Sequence, residues 1–164
     1  TIFKKYAGKN KKINTDIESG AFYSWTDQDK YLSIGGNPTK ISYGTSSLSN
    51  ASTSSAQLSN QEAGAIAQKI FKEKFPSEKN IDLNNPSFSY FETDGEFLRQ
   101  TLSPSSFVKV SYNYKLGNLP LLGNSPSILP FSVLLGPSGK IINFDYLKYP
   151  GAFEKDEERL FSIE

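Results

Sequence analysis

Apolar and polar side chains alternate without a break from Val108 to Lys115, the period of a strand with one buried face. A Gly/Pro/Asn-rich loop is predicted next, from Gly117 to Pro130. Phe131 to Leu135 and Lys140 to Tyr146 then flank Gly136-Pro137-Ser138-Gly139, the pattern of a β-hairpin. Ser87 to Phe91 and Glu96 to Thr101 flank Thr93-Asp94-Gly95, a second hairpin signal. Two or three shorter strands fit residues 21–44, with a turn at Gly35-Gly36-Asn37-Pro38.

One stretch has a different period. Ala63, Ile66, Ala67, Ile70, Phe71 and Phe75 recur at helical spacing, with Gln68, Lys69, Lys72 and Glu73 opposite. Ser59 and Glu62 stand at capping-box spacing before it, and Pro76 closes it. These elements predict an α+β fold, one amphipathic helix packed on a mainly antiparallel sheet, with a short β-rich N-terminal extension. The expected organisation is a basic arm over 1–20, a β-rich segment over 21–44 and a Ser/Thr-rich linker or loop over 45–57. An α+β unit over 58–150 follows, then the start of a further segment over 151–164.

Composition narrows the chemistry. The 164 residues contain no Cys and no His, which removes thiolate nucleophiles, Ser-His-Asp triads and Cys/His zinc sites. No residue pattern asks for a cofactor. The net charge of +1 is scattered, so no nucleic-acid partner is expected. The one basic cluster, Lys4, Lys5, Lys9, Lys11 and Lys12, reads first as a solvated arm and second as a segment beside a membrane. No run reaches the ~18 apolar residues of a membrane span, so any anchor is expected outside this segment. The chain starts at Thr1 and ends on the helix-start pattern Ser162-Ile163-Glu164, which suggests a piece of something longer.

Several motifs suggest chemistry and have simpler readings. Ser106-Phe107-Val108-Lys109 has the Ser-x-x-Lys form of a serine hydrolase, but it runs into a strand. Asp16, Glu18, Asp27 and Asp29 would suit Ca²⁺ only with a proper loop, and a solvated turn is favoured. Asp94 and Glu96 would make a carboxylate pair, though the hairpin accounts for Asp-Gly. Gly136 to Lys140 lacks Walker spacing and reads as a turn, and the sequon Asn50-Ala51-Ser52 as chance. Tyr112 and Tyr114, with Phe144 and Tyr146, would form an aromatic platform for sugar or peptide; packing under the helix is the preferred reading. Leu119, Pro120, Leu121 and Leu122 either tuck into the core or form an exposed contact patch.

The capped helix, the strand pair around Asp94-Gly95, the aromatic strand through Val110, Tyr112 and Tyr114, Gly117 to Leu121, and the hairpin from Phe131 to Tyr146 together resemble a PepSY-like domain. The wider group includes the extracytoplasmic YycH and YycI regulators. The resemblance covers about residues 59–149, and the loop from Gly117 to Pro130 is longer than the family's pattern. It implies an α+β module outside the cytoplasmic membrane that works by contact, with no catalytic residue to carry over. The expected partner is another protein or a neighbouring domain of the same chain. The alternatives are a glycan- or peptide-binding module using the tyrosines, and a small serine hydrolase using Ser106 and Lys109.

Trp25 is the single tryptophan and reports on the N-terminal strands. Its fluorescence should be blue-shifted if they pack on the sheet; a water-like spectrum would mean that they do not.

Overall fold

The computed structural model describes residues 14–16, 22–27, 29–36, 39–45, 48, 57–94, 97–116, 119–121 and 129–148. The cluster from Lys4 to Lys12, Glu18, Asn50, Glu96, Leu122, Lys155 to Arg159 and Ser162 to Glu164 lie outside the described residues.

Helix α1 spans Asn60–Lys74 and begins as its sequence requires. The Glu62 N–H donates to the Ser59 hydroxyl at 3.2 Å, and the Glu62 carboxylate accepts from the Ser59 N–H at 2.9 Å. Two orphan donors of the first turn are thereby satisfied. The Ser59 hydroxyl also donates to that carboxylate at 2.7 Å, and this bond, followed by the one from the Ser59 N–H, holds the Glu62 carboxyl below its ordinary range. At the other end the Phe75 N–H caps the Phe71 carbonyl, and Pro76 follows. Ala63, Gly64, Ala67, Ile70 and Phe71 form the buried face, with Ile66 half-buried at its margin.

The strands are β1 (Asn14–Asp16), β2 (Phe22–Asp27), β3 (Lys30–Gly35), β4 (Thr39–Thr45), β5 (Ser87–Asp94), β6 (Phe97–Thr101), β7 (Phe107–Tyr112), β8 (Tyr114–Leu116), β9 (Leu119–Leu121), β10 (Phe131–Leu135) and β11 (Ile141–Lys148). Nine form one sheet in the order β1-β2-β3-β4-β11-β10-β7-β5-β6, and every pairing in it is antiparallel. The fold is therefore α+β, one helix on a large antiparallel sheet. Strands β2 to β4 do not stand apart, because β4 pairs with β11 over six residues, from Asn143↔Gly44 to Lys148↔Thr39. Asn14–Asp16, expected within an irregular arm, pairs with β2.

Register decides what each face carries, because directly paired residues project to the same side. Tyr43, Phe144, Val133, Val110 and Phe88 form one continuous row across β4, β11, β10, β7 and β5. Ile41, Tyr146, Phe131 and Tyr112 form the next row on that face. Helix α1 lies over these rows, with Phe71 and Phe75 packed on Phe131 and Tyr146. The row on the opposite face is Ser24, Ser33, Ser42, Asp145, Ser132, Ser111 and Ser87, so six of its seven strands carry no charge in that row. Asp145 is the exception, and its carboxylate accepts from the Ser42 hydroxyl at 2.5 Å with Lys40 Nζ at 3.4 Å.

Two glycines are required by their surroundings. Gly139 ends the β10–β11 turn with φ of 77°, and an added Cβ would lie 2.7 Å from Ile66 of the helix. Gly44 sits at the β4–β11 seam, where a Cβ would come within 2.7 Å of the Tyr31 hydroxyl and 2.8 Å of Asn143 Cβ. Gly44→Ala should thus cost about 1–3 kcal/mol through overpacking, read as a lower urea midpoint. Unchanged stability would mean that the seam is looser than this packing.

Candidate interaction surface

The aromatic residues resolve first. Tyr112 is fully buried, and its hydroxyl donates to the Gly64 carbonyl at 3.2 Å. Tyr114 is half-buried and donates to the Leu147 carbonyl. Phe75 stacks on Tyr146 with ring centroids 4.1 Å apart, and Phe71 meets Phe131 at 4.9 Å. A platform needs an open ring face, so the platform reading of Tyr112 is corrected: its ring belongs to the core under α1. Each such large side chain contributes roughly 1.5–3 kcal/mol by burial. Among the described residues that total outweighs the one fault in the cluster, a buried Tyr146 hydroxyl with no hydrogen-bond partner, whose cost is about 1–3 kcal/mol. The negative charge of the nearby Glu78 carboxylate acts on that hydroxyl and disfavours its ionisation.

The alternating stretch from Val108 to Lys115 is not one strand. It breaks at Asn113, where the Asn113 carbonyl accepts from the Asp82 N–H at 2.9 Å. The continuation, β8, leaves the main sheet and pairs instead with β9, in the register Tyr114↔Leu121, Lys115↔Pro120 and Leu116↔Leu119. Part of the loop predicted from Gly117 to Pro130 is therefore strand, and Leu119, Pro120 and Leu121 have paired backbones. The Lys115 N–H donates to the Asn80 carbonyl at 2.8 Å, and Ile81 bridges to Tyr114, tying this small hairpin to the segment after α1.

The motifs with possible chemistry are held apart or used structurally. Ser106 precedes β7 and Lys109 is its third residue, on extended chain where residues three apart face opposite ways. No helix brings the two together. The Asp29 carboxylate accepts from the Thr45 hydroxyl at 3.0 Å in the β2–β3 turn region. Pro137–Gly139 is a single 3-10 turn between antiparallel strands. Asp94 pairs with Phe97 at the end of the β5–β6 hairpin. Among the described residues, no three Asp or Glu side chains converge as metal ligands.

Two features escaped the sequence. Strand β6 is an outer strand, and Phe97 at its start is 77% exposed while Leu102 just beyond its end is fully exposed. The run from Glu96 to Thr101 was legible as a strand, but nothing in it signals that its outer edge is left unpaired among the described residues. The second is a cleft of about 570 Å³ at the C-terminal end of α1, built from residues far apart in sequence.

Comparison with protein-family models, curated proteins and solved structures found no match.

Burial pushes the Tyr112 hydroxyl up to about 12 and raises Tyr146 as well, with Glu78 adding to the second shift. Unfolded tyrosine titrates near 10, so both contributions are complete below about pH 10 and are lost as pH rises through the folded values. Stability should be flat up to about pH 9.5 and then fall by roughly 1.4 kcal/mol per pH unit for each buried tyrosine. At pH 7, Tyr112→Phe should cost about 1 kcal/mol, whereas Tyr146→Phe should be neutral or stabilising. Urea titrations of both variants check this, and a larger loss in Tyr146→Phe would mean that its hydroxyl is satisfied.

Proposed function

We propose that this chain is a non-catalytic interaction or regulatory module of a bacterial cell-surface or membrane-anchored protein, acting outside the cytoplasm by contact with another protein or with a neighbouring domain. Its PepSY-like character, with strands β1 to β4 as a β-rich extension of the same sheet, belongs to this proposal. The observation that carries it is the outer strand β6, with Phe97 and Leu102 exposed at its two ends. An open strand edge offers main-chain donors and acceptors, and apolar side chains beside it offer anchors. The burial of Tyr112 disfavours a glycan platform, and the separation of Ser106 from Lys109 along an extended chain disfavours the hydrolase reading.

The test is a pull-down from detergent-solubilised envelope of the source cell with this segment as bait, beside a bait carrying Phe97→Asp and Leu102→Asp. Both positions are exposed, so the fold should survive, as a melting curve would verify. A protein captured by the first bait and lost with the second is the expected result. Equal capture by both would move the contact away from β6, and no capture by either would count against a protein-contact role.

A further inference from the structure

The cleft beside the C-terminal end of α1 has a composition that β6 lacks. Its inner wall is Phe71, Phe75 and Ile81, all buried, and Leu83 and Pro76 bring apolar surface to the opening. The wall is fixed rather than loose, because the Gln68 side-chain amide donates to the Leu83 carbonyl at 2.8 Å. Four ionisable residues line it, Lys72, Glu78, Lys79 and Lys115. Glu78 is neutralised by Lys148 at 2.9 Å, an outside partner. Among the described residues no carboxylate pairs with Lys72, Lys79 or Lys115. The nearby Asp82 carboxylate is turned into its own loop, accepting from the Asn84 N–H at 3.2 Å and from the Asn85 amide at 2.7 Å. Three cations with no carboxylate partner among the described residues thus surround an opening with an apolar lip. Of these three only Lys72 stands in the last helical turn, where it and Lys74 complement the partial negative charge of the helix end, so that charge does not account for Lys79 and Lys115.

We propose that this cleft is a binding site for an acidic peptide segment, with an apolar side chain seated against Leu83 and Pro76 and carboxylates meeting Lys72, Lys79 and Lys115. The volume lies within the range of sites that hold a few side chains. None of the cleft's residues belongs to β6, so this site is independent of the edge contact proposed above. Opposite charge supplies encounter rate and orientation, and the apolar seat supplies the contact that outlasts added salt.

The probe is a fluorescein-labelled peptide of alternating Glu and Leu, followed by anisotropy, with a Lys–Leu peptide of equal length as the control. The acidic peptide should bind more tightly than the basic one. Lys72→Glu with Lys79→Glu should weaken it by about tenfold or more, since each reversal both removes an attraction and adds a repulsion. Lys69→Glu, on the exposed side of the same helix and outside the cleft, should change it less than about twofold. An equal loss with Lys69→Glu would reveal a diffuse charge effect and overturn the site. So would an acidic peptide that binds no better than the basic control. Phe97→Asp with Leu102→Asp leaves the cleft intact, so retained peptide binding in that variant separates this site from the β6 contact.

Discussion

Strand β11 has a partner on each edge, and the faces of the whole sheet follow from its alternation. Phe144 and Tyr146 point toward α1, and Asp145 points away. Through antiparallel pairing that choice is transmitted outward in both directions, to Val133 and Val110 on one side and Tyr43 and Leu32 on the other. A slip of one residue at either seam would bring Ser42 or Ser132 under the helix and expose an aromatic ring. Ser42, Ser111 and Ser132 of the opposite row are themselves buried, so that face is not simply open to water. A second, minor cluster is formed by Phe107, Leu134 and Ile142, with Leu48, Phe91 and Leu98 around it.

Much of this was legible from local chemistry. The capping box at Ser59 and Glu62, the proline after Phe75 and the helical spacing of the apolar residues each concern a few neighbours, and α1 lies where they place it. The hairpins β5–β6 and β10–β11 were legible for the same reason. What was not legible depends on partners distant in sequence. Nothing near Ser42 announces Asp145, so the N-terminal strands looked like an extension rather than half of the same sheet. Alternation from Val108 to Lys115 is blind to the exit at Asn113, because the hydrogen bond that diverts the chain comes from Asp82. Pro120, which argued for a loop, is accommodated in β9, which has no strand partner besides β8 among the described residues.

The candidate sites divide along the same line. Tyr112 was a sound candidate by residue type, and only the helix above it decides that it is core. The cleft draws Lys72 from the helix, Lys79 from the connection after it and Lys115 from β8, so its charge is invisible in a chain whose net charge is +1. The chain's near-neutral total conceals a local excess that only the fold assembles.

The β4–β11 seam also sets an order of events during synthesis. Ser42 and its partner Asp145 are separated by 103 positions, and among the described residues β4 has no strand neighbour besides β3 and β11. A ribosome delivers the first four strands long before β11 exists. For that interval β4 is an open edge, with Ile41 and Tyr43 facing water rather than a helix that has not yet docked. A nascent chain paused between residues 45 and 140 therefore offers this edge to any unpaired strand nearby, including that of another copy in the same polysome.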